Sequence, residues 1–129
     1  MQLRYFGIRA QNLERSVEFY SKVLGLKEIG RGDMTKYDRG LWVLLEDLVT
    51  GQKLELNWYP KGSQFDTPYL PGEGLDHVGF AVRDVKEAYQ RAVQAGAKPT
   101  EVTPEATDGW QAYVKDPDGN WVEFFEEEG

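Results

Sequence analysis

Cysteine is absent from this chain and histidine occurs only once, so residues that often build disulfides and metal centres are scarce. Without cysteine the chain forms no disulfide and no thiolate metal site. No apolar run approaches the roughly 20 residues that a membrane-spanning helix needs. Residues 1–5 do not open a basic segment followed by an apolar one, so no signal peptide is expected. These absences predict a cytoplasmic protein that makes no membrane contact.

Excess basic charge is also lacking. The chain contains 15 Lys and Arg residues and 22 Asp and Glu residues, which gives a net charge of −7. Nucleic-acid binding relies on neutralising phosphates with basic side chains, so we expect no nucleic-acid partner. This balance still allows a small anionic ligand held by one or two local basic residues. The length of 129 residues and the 40% of hydrophobic residues fit a single domain with its own core.

What the chain does contain is a repeated pattern. Residues 3–10 and 75–82 share the spacing of an apolar residue, an aromatic ring and a glycine. In this match Tyr5 corresponds to His77, and Gly7 corresponds to Gly79. A chain that repeats itself in this way is typically built from two copies of one unit. The single histidine therefore occupies a position that the chain builds twice.

Each copy predicts the element order βαβββ. A helix is expected after the N-cap residue Asn12, and another after Asp84, which has Glu87 three residues on. Glycines at 25 and 96 are expected to end these helices. The strands are predicted by β-type residues and turn chemistry at 3–10, 26–32, 41–46, 53–59, 75–82, 97–102, 110–115 and 120–125.

The stretch 60–74 interrupts the pattern with three prolines and three glycines, which indicates a connector. We therefore predict an α+β fold of two tandem βαβββ modules in one domain spanning 1–129. Module one covers 1–59 and module two covers 75–129. Glycines 51 and 119 mark equivalent hairpin loops. Aligning the two copies at these loops makes Glu55 equivalent to Glu123 and Trp42 equivalent to Trp110.

Strand side chains alternate between faces, which predicts where the polar groups point. The apolar set Phe6, Ile8 and Ala10 should lie under a helix, and Arg9 should lie on the opposite face. The same alternation turns a further set of side chains away from the helices. Two curved mixed sheets would direct these side chains into one cleft: Tyr5, Glu55, His77 and Glu123.

This set of side chains suits one divalent cation, with an imidazole nitrogen and two carboxylates as donors. Mn, Fe, Co, Ni or Zn would fit, with positions left for water or substrate. Such an ion polarises substrate oxygens and stabilises an enediolate or enolate, while a glutamate carries a proton. The competing interpretation is that the lone histidine is structural and that the glutamates are solvated on an exposed strand face.

The pieces that carry a family resemblance span nearly the whole chain: 12–20, 23–26, 54–56, 75–80, 115–120 and 122–124. With them the chain resembles the vicinal oxygen chelate superfamily, and within it glyoxalase I (lactoylglutathione lyase) and its relatives. The resemblance implies the glyoxalase fold of paired βαβββ modules. The same superfamily contains epimerases, ring-cleaving dioxygenases and proteins that inactivate or sequester antibiotics.

By this resemblance Glu55, His77 and Glu123 are metal ligands. Tyr5 stands where the family's glyoxalases usually have histidine or glutamine, so the fourth ligand position departs from the pattern. Arg9 aligns with an arginine that holds a glutathione carboxylate, and the strand alternation places it on the same face as Tyr5. Asn57 lies near a substrate-binding asparagine of the family. A single histidine disfavours the two-histidine, one-carboxylate site of the dioxygenases.

The implied activity is a metal-dependent isomerisation of a 2-oxoaldehyde thiol adduct through an enediolate. Glu123 or Glu55 would remove the carbon-bound proton and return it to the neighbouring carbon. Two alternatives stay open, a non-catalytic antibiotic-binding protein and an epimerase of an acyl thioester. Relatives complete the cleft within one chain or across two, and the connector would allow either, so we expect a homodimer.

Overall fold

The computed structural model describes residues 1–34 and 39–127. The chain divides into two compact units, Met1–Pro68 (unit 1) and Tyr69–Gly129 (unit 2). The boundary falls inside the stretch that the sequence predicts as a connector. Each unit carries its own four-stranded mixed sheet. In the described part of the chain, no helix is long and apolar enough to cross a membrane.

Unit 1 begins its helix at the residue that the sequence predicts, because the Asn12 side chain accepts a hydrogen bond from the Arg15 amide at 3.1 Å. The sheet has the order β1-β4-β3-β2, with β1 parallel to β4 and the other pairs antiparallel. A π-helical turn over Phe19–Val23 follows the helix. The elements are β1 Phe6–Arg9, α1 Leu13–Glu18, β2 Lys27–Met34, β3 Gly40–Glu46 and β4 Lys53–Trp58.

Unit 2 repeats this arrangement. Asp84 caps its helix by accepting from the Glu87 amide at 3.0 Å, and Gly96 follows the helix with φ of 108°. The sheet order is β5-β8-β7-β6, again with one parallel pair. The elements are β5 His77–Val82, α2 Val85–Gln94, β6 Lys98–Pro99, β7 Gln111–Lys115 and β8 Trp121–Glu126. The predicted α+β fold of two βαβββ modules is thus confirmed.

Strands β1 and β6 are each four residues shorter than the sequence predicts. β6 covers only Lys98–Pro99, because Pro99 has no amide hydrogen to donate to a ladder. Beyond it, the Thr100 hydroxyl donates to the Tyr113 carbonyl at 2.6 Å, and the Tyr113 amide donates to the Val102 carbonyl at 2.9 Å. β1 starts at Phe6, so Tyr5 precedes the strand. Phe6 is 63% exposed although Ile8 and Ala10 are buried, so the predicted apolar face of β1 is covered only in its later half.

The predicted match of Trp42 with Trp110 is wrong by one residue. Leu44 pairs with Glu55 in unit 1, whereas Tyr113 pairs with Glu123 in unit 2. The loop 116–120 is one residue shorter than the equivalent loop 47–52, so β7 is displaced by one position relative to β3. The counterpart of Trp42 is therefore Gln111, on the same sheet face as Glu123.

The cores lie on the helix side of each sheet. α1 packs on β4, and α2 packs on β7 and β8. Each fully buried aliphatic side chain contributes about 1.5–3 kcal/mol relative to its exposed state. The buried apolar side chains of β3 and β4 are Val43, Leu45, Leu54 and Leu56, and those of β7 and β8 are Ala112, Val114, Val122 and Phe124. Alternation then leaves Glu55 and Glu123 on the opposite faces.

A buried polar turn fixes the start of β8. The Asp116 carboxylate accepts hydrogen bonds from the backbone amides of Asp118 and Asn120, at 2.9 and 2.8 Å. It also accepts from the Asn120 side chain at 2.9 Å. The Tyr69 hydroxyl donates to Asn120 Oδ1 at 2.9 Å. Because Asp116 and Asn120 are buried, this network sets where the strand carrying Glu123 begins.

Candidate active site

His77 and Glu123 face each other in unit 2. His77 is the first residue of β5, and Glu123 lies in the neighbouring parallel strand β8. The His77 Nε2 and Glu123 Oε1 atoms are 3.5 Å apart. The side chains are 34% and 15% exposed, so this pair is reachable from solvent but partly shielded.

Asp76 orients the imidazole ring. Its Oδ1 lies 2.7 Å from His77 Nδ1, and a carboxylate can only accept, so Nδ1 carries the hydrogen. When no proton occupies Nε2, that nitrogen presents a lone pair toward Glu123 Oε1. Two acceptors that face each other attract only when a proton or a cation lies between them. Metal-binding histidines usually have this kind of carboxylate partner on the second ring nitrogen.

Gln111 and Tyr113 surround the other side of the Glu123 carboxylate. The Gln111 side-chain amide donates to Glu123 Oε2 and lies 3.5 Å from the Tyr113 hydroxyl. Burial, and next the negative charge of Glu123 and a hydrogen bond to it, raise the pKa of Tyr113. The phenol therefore stays protonated as a donor. The Tyr113 ring also meets the His77 ring edge-on, with centroids 5.4 Å apart.

Sequence reasoning missed Gln111 and Tyr113. Both alternate along β7 on the face that carries Glu123, which is a signal that the sequence contains. The one-residue error in the strand register concealed it, because that error put Trp110 where Gln111 lies.

Unit 1 holds the second predicted carboxylate. The Asn57 side-chain amide donates to Glu55 Oε1 at 2.8 Å, two residues along the same strand. The cross-strand neighbours on this face are the apolar residues Leu44 and Trp42. Tyr5 is exposed and lies just before β1. The structure thus links Asn57 to Glu55, a contact that the sequence did not predict.

The two repeated glycines stand beside these carboxylates. Gly7 pairs with Glu55 and Gly79 pairs with Glu123 in the parallel ladders. A Cβ at Gly7 would lie 2.7 Å from Asn57 Oδ1, and one at Gly79 would lie 3.3 Å from Glu123 Oε1. Glycine is therefore the residue that leaves room for the polar side chains.

Arg9 contacts the predicted connector. Its Nη2 atom lies 3.1 Å from Asp66 Oδ1, and its Nη1 atom donates to the Thr67 carbonyl at 3.3 Å. The guanidinium also lies over the Tyr59 ring, 5.5 Å from the centroid. The Arg9 side chain is 25% exposed. It already binds one carboxylate, and partly exposed pairs of this kind contribute only about 0–1 kcal/mol.

A shallow concavity of about 290 Å³ lies at the β6 edge of unit 2. Its lining includes Lys115, whose ammonium lies 4.9 Å from the centroid of the Trp121 ring. Trp121 pairs with His77 across the β5–β8 ladder, so the two side chains share a sheet face. The concavity thus continues the surface that bears the His77–Glu123 pair.

The donor atoms of His77 and Glu123, a nitrogen and an oxygen, are of the types that divalent cations bind. Zinc-type ions bind histidine nitrogen and carboxylate oxygen at about 2.0–2.2 Å, so two ligands of one ion are compatible with the 3.5 Å separation of Nε2 and Oε1. Within residues 1–34 and 39–127, three or more His, Cys, Asp or Glu side chains are nowhere gathered closely enough to hold a metal ion. Each unit offers its own donors, Tyr5 and Glu55 in unit 1 and His77 and Glu123 in unit 2.

Comparison with known proteins assigns the family. Residues 2–124 match the model of the Glyoxalase/Bleomycin resistance protein/Dioxygenase superfamily. The lactoylglutathione lyase of Neisseria meningitidis serogroup A is 33% identical over 135 residues, covering 98% of this chain and 91% of that protein.

Two solved structures share the fold. The trypanothione-dependent glyoxalase I of Leishmania major has a TM-score of 0.78 at 29% identity, covering 98% of this chain and 87% of that one. A fosfomycin resistance protein of Listeria monocytogenes, solved with Mn(II) and a dihydroxypropylphosphonic acid, has a TM-score of 0.71. At 12% identity, over 98% of this chain and 93% of that one, it shows the fold alone. The chain belongs to the Glyoxalase/Bleomycin resistance protein/Dioxygenase superfamily and is a lactoylglutathione-lyase-like enzyme within it.

Proposed function

We propose that this enzyme isomerises the hemithioacetal of a 2-oxoaldehyde and a thiol, in a reaction that depends on a divalent metal. One observation carries the proposal. The Nε2 atom of His77 and the Oε1 atom of Glu123 face each other at 3.5 Å, and Asp76 contacts the other ring nitrogen. A pair of acceptors in this arrangement is suited to binding a cation.

The proposed ligands of the ion are His77, Glu123 and Glu55, with Tyr5 at the fourth position. Ni, Co, Mn, Zn and Fe all accept this mixture of nitrogen and oxygen donors. The bound ion would supply Lewis acidity to substrate oxygens. Affinity for the metal should fall as the pH drops, because imidazole and carboxylates bind metal only when they are deprotonated.

The side chains of the protein would move the proton. A carboxylate oxygen of Glu123 or Glu55 takes the proton from the carbon that bears sulfur and hydroxyl, which leaves an enediolate. The same carboxylic acid then returns the proton to the neighbouring carbon, the hydroxyl proton of the first carbon passes to the oxygen of the second, and the product is a 2-hydroxyacyl thioester. Asn57 holds the Glu55 carboxylate in place. Arg9 would bind a carboxylate of the thiol in exchange for Asp66.

The test is a pair of isosteric substitutions, Glu123→Gln and Glu55→Gln, with turnover measured on a 2-oxoaldehyde mixed with thiol. The substitution that removes the base should lower turnover by a factor of roughly 10²–10⁴, the usual contribution of general base catalysis. Metal content must be measured on the same samples, because glutamine is a weaker ligand. If both variants keep full activity, the proton-transfer mechanism is wrong.

A second candidate function is the binding of an antibiotic without chemistry. It is favoured by Tyr5, a neutral phenol where the family's glyoxalases usually have a stronger ligand. An epimerase of an acyl thioester would use the same proton abstraction. Metal-loaded wild-type protein that turns over neither a 2-oxoaldehyde adduct nor an acyl thioester would favour the binding protein. Thermal shift with fosfomycin-like phosphonates would then identify the ligand class.

We further propose that the protein forms a homodimer. Leu3, Tyr5 and Phe6 are exposed around the edge strand β1, a surface that a second copy could cover. Light scattering should then report twice the chain mass of 14.8 kDa at micromolar concentration. A mass of one chain at that concentration would rule out the dimer. The cytoplasmic location stays a prediction.

A further inference from the structure

The two carboxylates that the repeat makes equivalent have different surroundings. Glu55 pairs across β3 with the apolar Leu44. Glu123 pairs across β7 with Tyr113, and Gln111 lies on the same face two residues earlier. Unit 2 therefore places a phenol and an amide beside its carboxylate where unit 1 has hydrocarbon and an indole. This difference is not needed for the fold, because the buried residues of both strands lie on the other face.

Gln111 distinguishes the two oxygens of Glu123. Its amide donates to Oε2, and Oε1 is the atom directed toward His77 Nε2. The terminal torsion of a glutamate is broad, so a carboxylate without partners samples many orientations. A hydrogen bond to a charged acceptor is roughly twice as strong as a neutral one, so it narrows this distribution. The phenol of Tyr113 lies beside the same carboxylate, because Tyr113 pairs with Glu123 across the strands and its hydroxyl is 3.5 Å from the Gln111 amide nitrogen.

We propose that Gln111 is a positioning residue, which fixes Oε2 of Glu123 so that Oε1 is presented to a cation shared with His77. Tyr113 supports the same carboxylate from the neighbouring position on β7. The inference rests on the proposed function, because it assumes that this pair binds a divalent ion. It also assigns different roles to the two carboxylates. Glu123 is the carboxylate with the fixed orientation, whereas Glu55 is held by Asn57 from its own strand.

The experiment measures metal affinity and not turnover. Co²⁺ and Zn²⁺ are titrated calorimetrically into metal-free wild type, Gln111→Leu and Tyr113→Phe. Loss of a hydrogen-bonded partner of a metal ligand typically weakens affinity 10–100-fold, which is the range expected for Gln111→Leu. Tyr113→Phe keeps the ring against His77 and removes only the hydroxyl, so a smaller loss is expected. Gln94→Leu, an exposed glutamine on α2, is the matched control and should bind as wild type does.

The Glu123→Ala background distinguishes an effect of Gln111 that acts through Glu123 from a general structural effect of the substitution. If Gln111 acts through Glu123, its substitution should cause no further loss of affinity in that background. An equal loss in both backgrounds would overturn the inference. The visible spectrum of bound Co²⁺ gives a second readout, since a reoriented ligand changes it while a distant packing change does not.

Different binding results would contradict the inference and the proposed function. Wild-type protein that binds no divalent ion overturns the metal site and the inference with it. Wild-type protein that binds the ion, together with a folded Gln111→Leu that binds equally well, overturns the inference alone. Circular dichroism melts establish folding for each variant. Should Gln111→Leu fail to fold, Tyr113→Phe decides by itself, and unchanged affinity there counts against the constraint on Glu123.

Discussion

Replacing Gly79 by alanine should change stability and metal affinity in opposite directions. An added Cβ would lie 3.3 Å from Glu123 Oε1 and 3.4 Å from Phe125 Cε1. The first contact is tighter than ordinary van der Waals packing, so the carboxylate must move by a few tenths of an ångström. The backbone of Gly79 is not in the left-handed region, so alanine causes no torsional strain there.

The magnitudes follow from these contacts. Glycine within a strand is about 0.5–1 kcal/mol less stable than alanine, because its unfolded chain has more freedom. A carboxylate that shifts by a few tenths of an ångström keeps most of its packing, so the folded state should gain up to that amount. The displaced atom is the proposed ligand oxygen. Disturbing its position should weaken metal binding by about tenfold, the low end of what supporting contacts contribute.

The assay combines urea unfolding of the metal-free protein with calorimetric titration of Zn²⁺. Gly30→Ala serves as the control, because its added Cβ would lie 3.5 Å from the Trp42 ring, an ordinary contact. It should leave metal affinity unchanged. Gly79→Ala that binds Zn²⁺ as tightly as wild type would show that Glu123 Oε1 is not a ligand. A loss of stability above 1 kcal/mol would show instead that the strand pair cannot adjust.

Three further outcomes are expected. Asp116→Ala leaves the buried donors of Asn120 and the Asp118 amide without their acceptor, so urea unfolding should show a loss of about 3 kcal/mol or more. The Arg31 hydrogen bond lowers the pKa of Glu28, so its contribution is present above the ordinary value of 4.5 and is lost as the pH falls through the lowered pKa. The melting temperatures of wild type and Glu28→Gln should therefore differ at pH 7, and the difference should shrink as the pH falls below 4.5. Tyr5→His should tighten metal binding in calorimetry, whereas unchanged affinity with lower stability would mean that Tyr5 only packs.

The elements of this fold were predictable because their signals are local. Asn12 and Asp84 mark helix starts through hydrogen bonds to amides three residues on, and those bonds are present. The end of β6 at Pro99 also had a local cause, the missing amide hydrogen, but the β-type residues that follow it suggested a longer strand.

The surroundings of the candidate site were harder to predict because they depend on register. A single residue of difference between two hairpin loops decides whether Gln111 or Trp110 shares a face with Glu123. Likewise, the ion pair between Arg9 and Asp66 joins β1 to the predicted connector. The spacing of residues in the sequence does not predict this contact. Sequence periodicity identifies faces within a strand, whereas neighbours across strands require the pairing itself.

The two copies of the repeat carry different side chains on the sheet faces of the candidate site. Unit 2 has the imidazole where unit 1 has Tyr5, and it has Tyr113 where unit 1 has Leu44. These groups are a proposed ligand, the imidazole of His77, and a phenol beside the proposed ligand Glu123. Unit 1 instead carries Arg9, whose guanidinium already binds the Asp66 carboxylate at 3.1 Å. If the proposed function holds, substitutions in unit 2 should act chiefly on metal affinity, whereas Arg9→Leu should raise the KM for an anionic thiol adduct without changing metal content.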